Sequence, residues 1–259
     1  MKRRFAVCVG LALFLAPVAG AQPEALSVVI FDARGVGPRA LDTAMEAYGS
    51  ARGIRARRIT PEDVRAGVLD EADAVLFTGG RGSVQGRLLG DEGRARVRRF
   101  VAGGGGYVGI CAGSYLALQG APEFHKIALI AGEHATGDRW RRGVRPTRVQ
   151  ANDGSPDYAL HYANGPLFAR RQVPGLAPFV VLATFDADVH WAEYGTLPGE
   201  MPGTPAVVAA QNGQGRLVLF SPNPTLEPAH PEHLVRATRW AARGGAVPDS
   251  LRWRDVFGP

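Results

Sequence analysis

The chain has 259 residues with a formal net charge of +6, 46% hydrophobic residues and two cysteines. That length suits one large α/β domain, and so few cysteines exclude a disulfide framework. The basic residues are scattered without interleaved aromatics, so they read as solvated helix faces and no nucleic-acid partner is expected.

Lys2, Arg3 and Arg4 form a basic head, Phe5 to Val18 an apolar run, and Ala19-Gly20-Ala21 a small-x-small site. This is the pattern of a secretory signal peptide over residues 1–21. The apolar run falls short of the roughly 20 residues of a membrane span, and no cysteine follows to carry a lipid. The expectation is therefore a periplasmic or secreted protein of residues 22–259, without a stable membrane anchor. Its removal takes half of the net charge and also Cys8, leaving Cys111 as the lone thiol.

Further along, "ALSVVIFD" (Ala25 to Asp32) is a short β-branched run and predicts a buried strand. A turn, "RGVGP", leads into a helix over about residues 39–51, and "IRARRI" alternates as a second strand. Thr60-Pro61-Glu62-Asp63 is a helix start, with a capping threonine, a proline in the first turn and an acid three residues on. "DAVLFTGG" (Asp73 to Gly80) predicts a third strand, residues 91–102 a charged helix, "YVGI" a fourth strand and residues 112–119 a helix. Apolar strands alternating with helices imply a parallel sheet covered on both faces.

Past this point strands dominate: "KIALIAG", "VRPTRVQA", "YALHYANG", "FVVLATF" and "PAVVAAQNGQGRLVLF". The last folds into a hairpin at Gln211 to Gly215, and a terminal helix runs over about residues 232–243. The whole reads as a single α/β domain over residues 22–259 with antiparallel strand additions.

The chemistry centres on "GGGGYVGICAGSYLA" (Gly103 to Ala117). Gly109-Ile110-Cys111-Ala112-Gly113 is small-x-nucleophile-x-small at a strand-to-helix junction, the pattern of a nucleophile elbow with sulfur in place of oxygen. The helix that follows is expected to lower the Cys111 pKa. The Ala112 amide, with one from Gly79 or Gly80, is a candidate oxyanion donor.

"FTGGRGSVQGRL" with "RFVAGGGGYVGICAGSYLA" resembles the amino-terminal domain of biotin–protein ligases and its stand-alone relatives in the class I glutamine amidotransferase-like superfamily. "HYANGP" (His161 to Pro166) and "GRLVLFSP" are similar to further stretches of these relatives. The resemblance implies a flavodoxin-like three-layer sandwich, in which active members pair the elbow cysteine with a late histidine and acid. Where His-Pro-Glu is expected after Ser-Pro, this chain has Asn223-Pro224-Thr225. His230-Pro231-Glu232 follows seven residues later. Either the motif is displaced, making Cys111, His230 and Glu232 the catalytic set, or Asn223 holds the base position and the site is degenerate. His161 and Asp32 are further candidates for binding or orienting roles.

Asp186, Asp188 and His190 alternate, but spacing alone makes no ligand set. "GGRG" and "GGGG" lack the Lys-Ser/Thr of a phosphate loop. No metal or cofactor is expected. The readings left open are a small-molecule binding module with a degenerate triad, an active cysteine amidohydrolase, and a thiol-reactive protein. The oligomeric state is not legible in the sequence.

The leader carries the first prediction. Protein recovered from the exporting cell is expected to begin at Gln22, which intact-mass measurement checks; a mass that retains Met1 would contradict it.

Overall fold

The computed structural model describes residues 25–258; the expected leader lies outside the described residues. The parallel half comes first. β1 (Leu26–Phe31), β2 (Ile54–Ile59), β3 (Ala74–Phe77) and β4 (Gly106–Ile110) alternate with α1 (Pro38–Gly49), α2 (Pro61–Ala66), α3 (Gly82–Ala102) and α4 (Ala112–Ala117). The later half contributes β5 (Gly132–His134), β6 (Val144–Ala151), β7 (Tyr158–Ala163), β8 (Phe168–Arg170), β9 (Val180–Phe185), β10 (Pro205–Asn212) and β11 (Gly215–Phe220). Helices α5 (Pro231–Ala241) and α6 (Trp253–Phe257) follow.

Nine strands form one sheet in the order β2-β1-β3-β4-β11-β10-β9-β6-β7, while β5 and β8 pair separately. From β2 to β11 neighbouring strands are parallel; from β11 onward they are antiparallel. Successive strand residues point to opposite faces. Val28 and Ile30 of β1 therefore join one core with α1, α5 and α6, and Val29 and Phe31 join the other with α2, α3 and α4. The result is the α/β three-layer sandwich that the strand–helix alternation predicts.

Local signals explain the element ends. Thr60 and Asp63 complete a reciprocal capping box at α2, satisfying amides that a helix start leaves unpaired. β2, on the sheet edge, keeps its arginines outward, whereas all four residues of β3 are buried.

Two expectations are corrected. The helix predicted over residues 91–102 begins at Gly82, because a break at Gly90 (φ 68°) joins two helical stretches that its glycines disguise. "KIALIAG" is not a strand over most of its length. Its buried backbone satisfies the last carbonyls of α4 instead, with Ile127 and Ala128 amides on Leu116 and Leu129 on Ala117. Only Gly132 enters a ladder.

The antiparallel half bends back over the parallel half. Although β7 is the last strand of the sheet, His161 bridges to Asn223, just beyond β11. Gly165 follows β7 against the Ser221 carbonyl, in a space that a Cβ would fill. The curl brings the end of β7 over the carboxyl ends of β4 and β11, where ligands of open α/β sheets bind.

A Cβ on Gly113 would run into the Phe77 carbonyl at the end of β3. Gly113→Ala is expected to lower stability by about 1–3 kcal/mol, the usual cost of overpacking. Urea unfolding should show a lower midpoint with an unchanged slope.

Candidate functional site

The site is built on strand ends. Cys111 follows β4 with φ 49° and ψ −99°, in left-handed territory that side-chain-bearing residues seldom occupy, and it opens α4. Space for this turn comes from the flanking glycines. A Cβ on Gly109 would meet the Gly113 backbone at 2.9 Å, and Gly113 itself lies against β3. The Cys111 amide extends the ladder to the Phe220 carbonyl (2.9 Å). The buried Ser114 hydroxyl lies 2.9 Å from the Gly109 carbonyl and 2.7 Å from that of Phe220, tying α4 to both strands.

Around the sulfur, backbone groups predominate. The thiol donates to the Ala163 carbonyl at the end of β7 (3.4 Å). The backbone amides of Gly80 and Ala112 lie close enough to the sulfur to favour its thiolate. Gly79 packs beside the cysteine, where a Cβ would stand 3.8 Å from that of Cys111.

Cys111 keeps some surface exposure, yet protein crowds its sulfur, and this burial pushes the thiol up to about 11 against the pull of the two amides. The expected lowering is thus corrected. α4 has only six residues, so its amino-terminal dipole is weak, and desolvation of the thiolate wins.

Asn223 is buried, and its amide oxygen accepts from the Thr225 amide (2.7 Å) and hydroxyl (2.9 Å). Thr225 meets Thr43 of α1 at 2.8 Å. The Asn223 amide donates to the His161 carbonyl (2.7 Å), two residues before the Ala163 carbonyl that accepts from Cys111. Alternate residues of a strand are about 7 Å apart, so the Asn223 backbone N–H and the thiol meet carbonyls separated by about that distance on β7.

The remaining candidates turn elsewhere. Nδ1 of His161 lies 3.1 Å from the Glu227 carbonyl, and the Asp32 carboxylate lies 3.7 Å from Arg58. The His230 ring packs on Tyr158, the first residue of β7, whereas the thiol meets Ala163, the last. Glu232 stays with His230 (3.3 Å). The structure therefore does not assemble Cys111, His230 and Glu232 into one catalytic set. Asp188 pairs with His190 (3.2 Å), and Asp186 pairs with Arg148.

Sequence reasoning missed several neighbours. Tyr115, one turn beyond Cys111 on α4, is half-buried, and its buried hydroxyl has no hydrogen-bond partner among the described residues. Its spacing of four residues from the cysteine was the available signal. Tyr115 and Tyr162 each lie close enough to feel the charges of Cys111 and Arg142. Arg142 is fully buried, bonded to the Val189 carbonyl (3.0 Å) and Glu200 (2.9 Å). Asn164 accepts from the Arg142 and Gly143 amides at 2.7 and 2.8 Å. A surface cleft of about 590 Å³, lined by Arg87, Arg94, Arg98 and Lys126 among others, does not include Cys111.

With this geometry in view, the relatives are informative. Residues 54–127, from β2 past α4, match the family "Biotin-protein ligase, N terminal". The crystal structure of a glutamine amidotransferase superposes with a TM-score of 0.57 at 23% identity, covering 83% of this chain and 98% of that one. A Thua-like protein from Parabacteroides merdae superposes with a TM-score of 0.55 at 15% identity, covering 87% of this chain and 92% of its own. A search of curated proteins finds no match. The chain shares its fold with that glutamine amidotransferase structure, and the biotin–protein ligase amino-terminal match spans the segment that carries Cys111.

Proposed function

We propose that this protein is an exported glutamine amidotransferase-like binding module, which keeps the elbow cysteine as part of a small-ligand pocket but lacks the base for hydrolysis. The observation that carries this reading is Asn223. It stands near Cys111 at the end of β11, and its amide oxygen is already committed to Thr225. A carboxamide takes no proton from a thiol, and a thiol near 11 supplies almost no thiolate at neutral pH.

The elbow reading rests on the left-handed Cys111 and its flanking glycines. The ligand class follows from the surrounding donors. Amides of Gly80 and Ala112 converge on the sulfur, and the unpartnered Tyr115 hydroxyl lies nearby. Such donors suit a small molecule bearing a carbonyl or carboxylate oxygen. Export rests on the leader pattern of residues 1–21; among the described residues no helix is long and apolar enough to cross a membrane.

Thiol chemistry tests the first part. Near neutral pH, iodoacetamide should alkylate Cys111 at least about 100-fold more slowly than a free thiol of pKa about 8.5, because less of it is ionised. The rate should climb toward pH 11 as the thiolate forms. A profile that titrates at or below the free value would mean an activated nucleophile and overturn the binding reading.

Hydrolysis tests the second part. Wild type is expected to show no glutaminase activity above background, and Cys111→Ala to remain folded. The pair Asn223→His and Thr225→Glu restores a base and its orienter; general-base catalysis contributes about 100- to 10,000-fold, so slow hydrolysis should emerge. Hydrolysis by wild type that His161→Ala or His230→Ala abolishes without unfolding would establish an active amidohydrolase instead.

A further inference from the structure

We propose that His230, Glu232 and His233, at the start of α5, bind a divalent transition-metal ion, Zn²⁺ foremost. One ligand atom from each of these residues lies within 4.8 Å of the others. Zinc bonds of about 2.0–2.2 Å place tetrahedral ligands roughly 3.5 Å apart, so the set closes when the side chains turn, one imidazole leaving its near-parallel alignment with the other. His230 and Glu232 already stand at 3.3 Å.

Local backbone explains how residues two and three apart converge. Positions i and i+2 of a helix do not face each other. His230, however, is the cap residue, with non-helical φ −132° and ψ 65°, and only Pro231 onward is helical. The cap is held by its amide on the Pro224 carbonyl (2.7 Å), and the His233 amide closes the turn on His230 (3.0 Å).

An independent observation points to a ligand. His233 is only 2% exposed, and its Nδ1 has no hydrogen-bond partner. Buried polar atoms are almost always satisfied, so an orphaned ring nitrogen calls for a water or an ion. The surroundings offer it little else. Tyr158 meets both imidazoles edge-on, and Trp253 and Phe257 flank His233. The two imidazoles stack with centroids 5.3 Å apart and 18° between planes. Arg236, the neighbouring cation, is engaged by the Phe257 carbonyl.

Two imidazoles and one carboxylate favour Zn²⁺ and similar ions over Ca²⁺ or Mg²⁺. Three protein ligands leave a position for water. The aromatic walls hold the rings in place, as outer groups of metal sites do. An ion here would join the α5 cap to its first turn and stabilise the folded chain by linkage. The site is separate from Cys111.

The test uses the chain without a polyhistidine tag, stripped with a chelator and titrated with Zn²⁺ by calorimetry; Co²⁺ absorption reports the coordination. One ion per chain is expected, with a rise in Tm. Glu232→Gln and His230→Gln should each weaken binding at least about tenfold, a loss that even outer partners of a metal cause, and remove the Tm gain. His190→Gln and Cys111→Ala should leave binding unchanged. Absence of binding, equal binding in Glu232→Gln and His230→Gln, or loss of binding in Cys111→Ala would each overturn the proposal. His233→Gln adds a third variant if it folds; the two more exposed positions decide the question without it.

Discussion

The close approach of backbones around Cys111 is the constraint on which the site depends. Gly113 presses on the carbonyl that ends β3, and Gly109 presses on Gly113. Only because both lack side chains does the chain reverse sharply enough to place the cysteine at φ 49°. A non-glycine residue held there costs about 1–3 kcal/mol and persists only when its surroundings over-determine it. Here they do. β4 lies between β3 and β11 at the centre of the sheet, and the ladder bond to Phe220 with the buried Ser114 hydroxyl fixes the turn from two sides.

Holding the sulfur this tightly also sets its electrostatics. Two amides aimed at the sulfur favour negative charge, while the crowding that the turn requires disfavours it. In the balance burial wins, since the helix behind the cysteine is short and no imidazole is hydrogen-bonded to the thiol. The same geometry that would present an activated nucleophile beside a base presents a neutral thiol beside Asn223.

The parallel half was legible in the sequence because its signals are local. Apolar runs such as "VVIF" and "AVLF", the Thr60–Asp63 cap and the glycines around Cys111 each act within a few residues. Less legible were features decided by partners far along the chain. The buried backbone of residues 127–130 is satisfied by α4, not by a strand, so its apolar run mimics a strand it does not form. The helix before Gly90 is hidden by low-propensity glycines that tertiary packing overrides. Asn223-Pro224-Thr225 after Ser-Pro was readable; that the Asn223 side-chain oxygen turns to Thr225 was not. Nor was the convergence of His230 with Glu232, since helical spacing alone separates positions two apart that a non-helical cap brings together.

The antiparallel half does more than widen the sheet. Its edge strand curls until the Ala163 carbonyl reaches the thiol, so a late segment roofs a turn made by an early one. Buried Arg142 anchors that roof, with Glu200, the Val189 carbonyl and the Leu197 carbonyl taking its donors. Glu200, half-buried, also pairs with Arg139, and Asp188 stands 3.9 Å from Arg142, so the buried cation is compensated from more than one side. Glu200 is held near 2: its own burial opposes this, and it is outweighed by the Leu197 amide together with Arg142 and Arg139. The ion pair therefore stays charged throughout the neutral range. A roof fixed in this way holds the Ala163 carbonyl against the thiol, so the turn at Cys111 is closed by both halves of the sheet.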